Sequence, residues 1–131
     1  MLGSSNLIAF VPVSDLGRAR AFYGDTLGLR VVGEDPYALS VDVNGSRLRL
    51  TVVADLRPQP FTIAGWEVGD IDASVDALVR AGVRFTRFDG MEQDERGIWT
   101  TPAGDRVAWF RDPDGNALSL TEPAAAPPNT G

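Results

Sequence analysis

The chain contains no histidine and no cysteine. That double absence removes the usual nitrogen and sulfur ligands of zinc, copper and non-haem iron, so any metal would have to be held by carboxylates, carbonyls and water. It also removes the one side chain whose unperturbed pKa lies close to neutrality, and with it histidine general bases, catalytic triads and thiolate nucleophiles. No disulfide can form. No hydrophobic run approaches the ~20 residues of a membrane-spanning helix. The early apolar run LIAFVPV has neither a basic lead-in nor a small-residue cleavage site, so a cytoplasmic protein with no membrane contact is expected. All 12 basic residues are arginines placed singly rather than in a stripe, against 18 acidic residues, for a net charge of −6. That balance argues against nucleic-acid binding.

What the chain does have is a hydrophobic share of 44% in 131 residues, enough for one domain or two tightly joined halves. It also has a repeat. IAFVPVSD, Ile8 to Asp15, returns as IAGWEVGD, Ile63 to Asp70, with Ile, Ala, Val and Asp held in register. Each octet reads as a strand running into a helix entrance. After the first, Ser14 or Asp15 can cap a helix in which Leu16, Ala19, Phe22, Tyr23 and Leu27 fall near helical spacing, and Gly28 can end it. After the second, Asp70 caps, Ile71, Val75, Leu78 and Val79 form a stripe, and Gly82 ends the helix.

Strands are expected after each helix. LRVVGE, YALSVDV and RLRLTVV follow the first, the last two joined by Asn44-Gly45, which tolerates the positive φ of a two-residue hairpin. VRFTRF, GIWTTP, RVAWFR and NALSLTE follow the second, with Asp112-Pro113-Asp114-Gly115 suited to a type I turn. The pattern predicts an α+β fold of two βαβββ modules, about residues 5–55 and 60–122, in a single domain 1–122 with a loose tail 123–131. One such module covers one face of its sheet with a helix and leaves the other bare. Two modules side by side would curve their bare faces into a shared cleft.

The stretches VPVSDLGRARAFYGDTLGL, VGDIDASVDALVRAG and FRDPDGNALSLTE resemble the vicinal oxygen chelate superfamily, which includes glyoxalase I, extradiol dioxygenases and bleomycin-resistance proteins. The similarity spans nearly all of residues 7–122 and implies a curved mixed sheet around a cleft. Metal enzymes of that superfamily take one ligand from the first strand and one from the last strand of each half. Those positions fall on Ile8 and Ile63 and near Arg49 and Ser119. Aliphatic side chains cannot ligate, and a guanidinium repels a cation. The resemblance therefore implies a member without metal or other cofactor, and such members include drug-sequestering proteins that act as dimers.

Strand alternation sorts the faces. Ile8, Phe10 and Ile63 should give the cleft an apolar wall, and Arg49, Thr51 and Ser119 its polar points. Trp109 falls on the cleft side with Phe110 toward the helix, Trp99 joins it, and Trp66 belongs to the core. Plainer readings stand beside these: Arg49 paired with a carboxylate such as Asp42, tryptophans packed in the core or a dimer interface, and the acidic MEQDERG as a solvated loop rather than a lure for a cation. The expectation is a homodimer that binds a hydrophobic or aromatic small molecule, as in antibiotic sequestration. The alternative is a cofactor-independent isomerase, cyclase or lyase in which Arg49 stabilises an oxyanion and Glu67 or Glu122 acts as the base. A third reading is an interaction module with a filled cleft. Metal-dependent lyase or dioxygenase activity is disfavoured.

Overall fold

The computed structural model describes residues 1–125, which fall into two compact units, residues 1–58 and residues from 59 onward. In the first, β1 (Ile8–Val13) leads into α1 (Leu16–Ala19), and β2 (Arg30–Glu34), β3 (Ala38–Val43) and β4 (Ser46–Val52) follow. The strands form one mixed sheet in the order β1-β4-β3-β2, with β1 parallel to β4. Asp15 caps α1 by accepting from the Arg18 amide at 2.8 Å. Alternation sends Val11, Val13, Leu39, Val41, Leu48 and Leu50 into a core shared with Ala19 and Tyr23. Val52, grouped with Leu48 and Leu50 by parity, is instead exposed at the strand end. The hairpin between β3 and β4 turns on Asn44 (φ 48°) and Gly45 (φ 90°), the two positive angles of a type I′ turn.

The regular helix expected through Leu27 is not what forms. After Ala19 the backbone widens into a π-helical segment, Arg20–Thr26. Its end is marked by the Leu27 amide donating to the Phe22 carbonyl, five residues back, at 2.8 Å. Spacing alone cannot separate the two, since both bury Ala19 and Tyr23.

In the second unit β5 (Thr62–Glu67) leads into α2 (Ile71–Arg80), followed by β6 (Trp99–Thr100), β7 (Arg106–Arg111) and β8 (Ala117–Glu122), in sheet order β5-β8-β7-β6. Asp70 caps α2 through the Ala73 amide at 3.1 Å. Ile71 and Val75 are buried. Val79, expected in the same stripe, is 53% exposed, because it stands roughly 80° round the helix from Ile71. Phe110 is the centre of the core, with Trp66 stacked on it at 6.3 Å and Phe85 tilted against it at 5.5 Å.

VRFTRF and GIWTTP do not both become full strands. They divide the free edge of β7 between them: Trp99 and Thr100 pair with Val107 and Arg106, while Phe85 bridges Phe110 and the Thr86 amide donates to the Trp109 carbonyl. The turn into β8 forms as its residues dictate. The Gly115 amide donates to the Asp112 carbonyl at 2.9 Å, and the buried Asp112 carboxylate accepts from the Asp114 and Asn116 amides and from Asn116 Nδ2. The expected loose tail is tied down at its start, where the Ala124 amide donates to Asp105 at 2.7 Å. Its residues 126–131 lie outside the described residues. No helix among the described residues is long and apolar enough to cross a membrane.

Candidate functional site

In each unit the helix packs against one sheet face, and among the described residues neither α1 nor α2 covers the other. On the bare face of the first sheet, register places Ile8, Arg47, Asp42 and Arg30 in one row across the strands. Phe10, Arg49 and Ser40 form the next, and Pro12, Thr51 and Ala38 the third. Ile8, Phe10, Arg49 and Thr51 thus share a face, as alternation predicts. It is open at the Ile8 and Phe10 end, where these side chains are 45% and 63% exposed, and closes toward the buried Ala38.

Arg49 does have a carboxylate partner, but it is Asp35 and not Asp42. The Arg49 Nη2 lies 3.1 Å from Asp35 Oδ2. Asp35 also accepts from the Tyr37 and Ala38 amides, so it is fixed on the link between β2 and β3, within reach of Arg49. The Tyr37 amide first, with the Ala38 amide and the Arg49 cation, holds its carboxyl below the ordinary aspartate range. An acid so stabilised as its anion is a weak base. Thr51 Oγ1 is hidden from solvent and has no hydrogen-bond partner among the described residues.

On the second sheet the bare face carries Gly65, Ser119 and Trp109 in one row and Glu67, Thr121, Val107 and Trp99 in the next. A slip of register at Ile63 sets Thr62 opposite Ala117, on the same face. The Trp109 Nε1 donates to Thr62 Oγ1 at 3.1 Å, its ring stacks on Trp99 at 6.2 Å and 30°, and Phe88 meets it edge-on at 5.3 Å. Ser119 is only 8% exposed, with its hydroxyl against Gly65. Ile63 is half-buried at the slip. Thr62 and Phe88 were not legible as site residues: counting by twos misses a bulge, and Phe88 lies beyond the part of VRFTRF that pairs.

The two carboxylates considered as bases fare differently. Glu122 faces the helix side, accepting from the Ile71 amide at 3.0 Å, where it supports the start of α2. Glu67 is exposed on the bare face. As a metal donor set, the four positions marked by the resemblance do not fit. Ile8 and Ile63 offer no donor, Arg49 is a cation already paired, and Ser119 has one hydroxyl packed on glycine. No group of three or more acidic side chains that could hold an ion occurs among the described residues.

Comparison with known proteins agrees with this architecture. Among solved structures, TnmS3, an antibiotic-binding protein from Streptomyces sp. CB03234, is 30% identical, with 95% of this chain and 99% of that one covered and a TM-score of 0.69. A superfamily member from Sphaerobacter thermophilus DSM 20745 is 28% identical over 94% of this chain and 100% of that one, with a TM-score of 0.73. A glyoxalase family protein from Bacillus anthracis, 17% identical over 91% of this chain and 94% of that one, shares the fold with a TM-score of 0.71. Comparison with curated proteins gives no match. The model of the Glyoxalase/Bleomycin resistance protein/Dioxygenase superfamily matches residues 6–120, and the chain belongs to that superfamily.

Proposed function

We propose that the chain binds an aromatic or apolar small molecule against the bare face of its second sheet, without metal or other cofactor, and releases it unchanged. The observation that carries this reading is the cluster of Trp99, Trp109 and Phe88, with one indole pinned by Thr62. Stacked rings whose orientation is fixed in advance suit a planar ligand, because little ordering remains to be done on binding. Similarity to TnmS3, which binds an antibiotic, supports sequestration as the purpose. Two further features favour binding over turnover: Asp35 is held as an anion by its partners, and Glu122 is committed to α2.

The same proposal makes the protein a cytoplasmic homodimer. Leu7, Ile8, Phe10 and Val32 leave apolar surface open on the first unit, more than scattered single side chains would. A second copy is the partner that closes such a surface by symmetry.

Acridine titrated into the protein tests the reading. It should quench tryptophan emission, and Trp109→Ala should weaken its binding by about fivefold to tenfold. Equal affinity in the variant would remove Trp109 from the site.

A further inference from the structure

Trp109 stands on β7 and Thr62 on β5, with β8 between them in the sheet. Their side chains meet all the same, Trp109 Nε1 donating to Thr62 Oγ1 at 3.1 Å. Neighbouring strands lie about 4.8 Å apart, so the two backbones are separated by the full width of β8, and the indole has to lie across that strand to reach its acceptor. Register fixes what is beneath it: Ser119 is opposite Trp109, and Ala117 is opposite Thr62. Both residues point to the face that α2 does not cover, yet they are only 8% and 7% exposed. Thr121, next along the same face and beyond the ring, is more open. The indole is a cover over the middle of β8.

The acceptor is on that face only because of the slip in β5. Strict alternation from Gly65 would send Thr62, three residues earlier, to the helix side. The irregularity between Thr62 and Ala64 brings it round to the bare face instead. Trp109 has a single polar hydrogen to donate, and Thr62 takes it. Trp99 at 6.2 Å and Phe88 at 5.3 Å touch the ring, but their side chains offer it no acceptor. The hydrogen bond that sets the direction of the indole is the one to Thr62.

We infer that Thr62 is a positioning residue for the ligand site: its hydroxyl draws the Trp109 indole across β8, so that a planar ligand meets an aromatic surface and not the Ser119 hydroxyl beneath it; this rests on the aromatic-binding reading above. With the indole N–H consumed and Ser119 covered, this part of the face recognises a ligand by the area of its rings rather than by hydrogen bonds. An indole released from Thr62 would have to be ordered again at each encounter, and that cost falls on affinity.

Three variants test this. Thr62→Val keeps the branched shape of an exposed side chain and removes the acceptor, Thr62→Ser keeps the acceptor, and Ser119→Ala removes the covered hydroxyl. In the ligand-free protein the Trp109 indole N–H resonance, assigned by its loss in Trp109→Phe, should move upfield in Thr62→Val and stay near its parent position in Thr62→Ser. Acridine affinity should fall about threefold in Thr62→Val, recover in Thr62→Ser, and hold in Ser119→Ala. An unmoved resonance in Thr62→Val overturns the tether. A moved resonance with full acridine affinity, or no recovery in Thr62→Ser, overturns the positioning role. Weaker binding by Ser119→Ala would put that hydroxyl against the ligand and overturn the covered face. If the parent protein does not bind acridine, the aromatic reading falls and the positioning role with it, a failure that the ligand-free resonance keeps distinct from loss of the tether.

Discussion

Gly65 and Phe10 occupy the same place in the two copies of the repeat, and their different surroundings explain the difference. Phe10 stands beside Arg49 on an open face, whereas Gly65 lies beside Ser119, whose hydroxyl fills the space a Cβ would need. Gly65→Ala should therefore destabilise the fold by about 1–3 kcal/mol, as overpacking does. Ser119→Ala alone should cost little. Combined with Gly65→Ala, it should restore part of the loss, since it removes the nearest colliding atom. Urea unfolding of the four proteins measures the coupling, and strictly additive losses would mean that the strand shifts instead. Nothing in the octet IAGWEVGD announces this contact, because it depends on a neighbour more than fifty residues away.

Among the elements, α2 is fastened to the sheet by charge as well as by Ile71 and Val75. Asp72 accepts from both terminal nitrogens of Arg106 at 2.7 and 3.0 Å, and Asp76 from Arg96 at 2.8 and 3.1 Å. The hydrogen bonds from Arg106 and Arg96 lower the pKa of Asp72 and Asp76 respectively below the ordinary value of 3.8. A carboxyl whose pKa is lower folded than unfolded contributes stability that is complete above the unfolded value. That contribution disappears as pH falls through the folded one. Stability should therefore decline from about pH 5 toward pH 2. The double variant Asp72→Asn, Asp76→Asn should be modestly less stable at neutral pH and show a shallower decline, the effect being limited by solvent screening. An unaltered acid profile, read from denaturant midpoints, would show that these pairs do not couple to folding. The partners in this network were not legible in the sequence. The elements that depend on local chemistry were: the caps at Asp15 and Asp70, the Asn44-Gly45 hairpin and the Asp112 turn. Where outcomes depend on competition over distance, as in the sharing of the β7 edge or the π-helical turn, spacing gave no warning.

For the whole molecule, alternation along the strands was enough to put Ile8, Phe10, Arg49 and Thr51 on one bare face and Trp109 and Ser119 on the other, because a side chain's face depends only on counting by twos. Counting could not give partners, so Asp35 for Arg49 and Thr62 for Trp109 had to come from the fold. The central claim is that the face carrying Trp99 and Trp109 holds an aromatic ligand and returns it intact. Native mass spectrometry tests it most directly, on protein incubated with acridine, 9-aminoacridine and the anthracycline daunorubicin. The expected spectrum shows a dimer carrying at least one of these compounds at the mass at which it was added. A released compound of altered mass, or a protein that remains free of all three at saturating concentration, would contradict the claim, and a monomer throughout would contradict the homodimer.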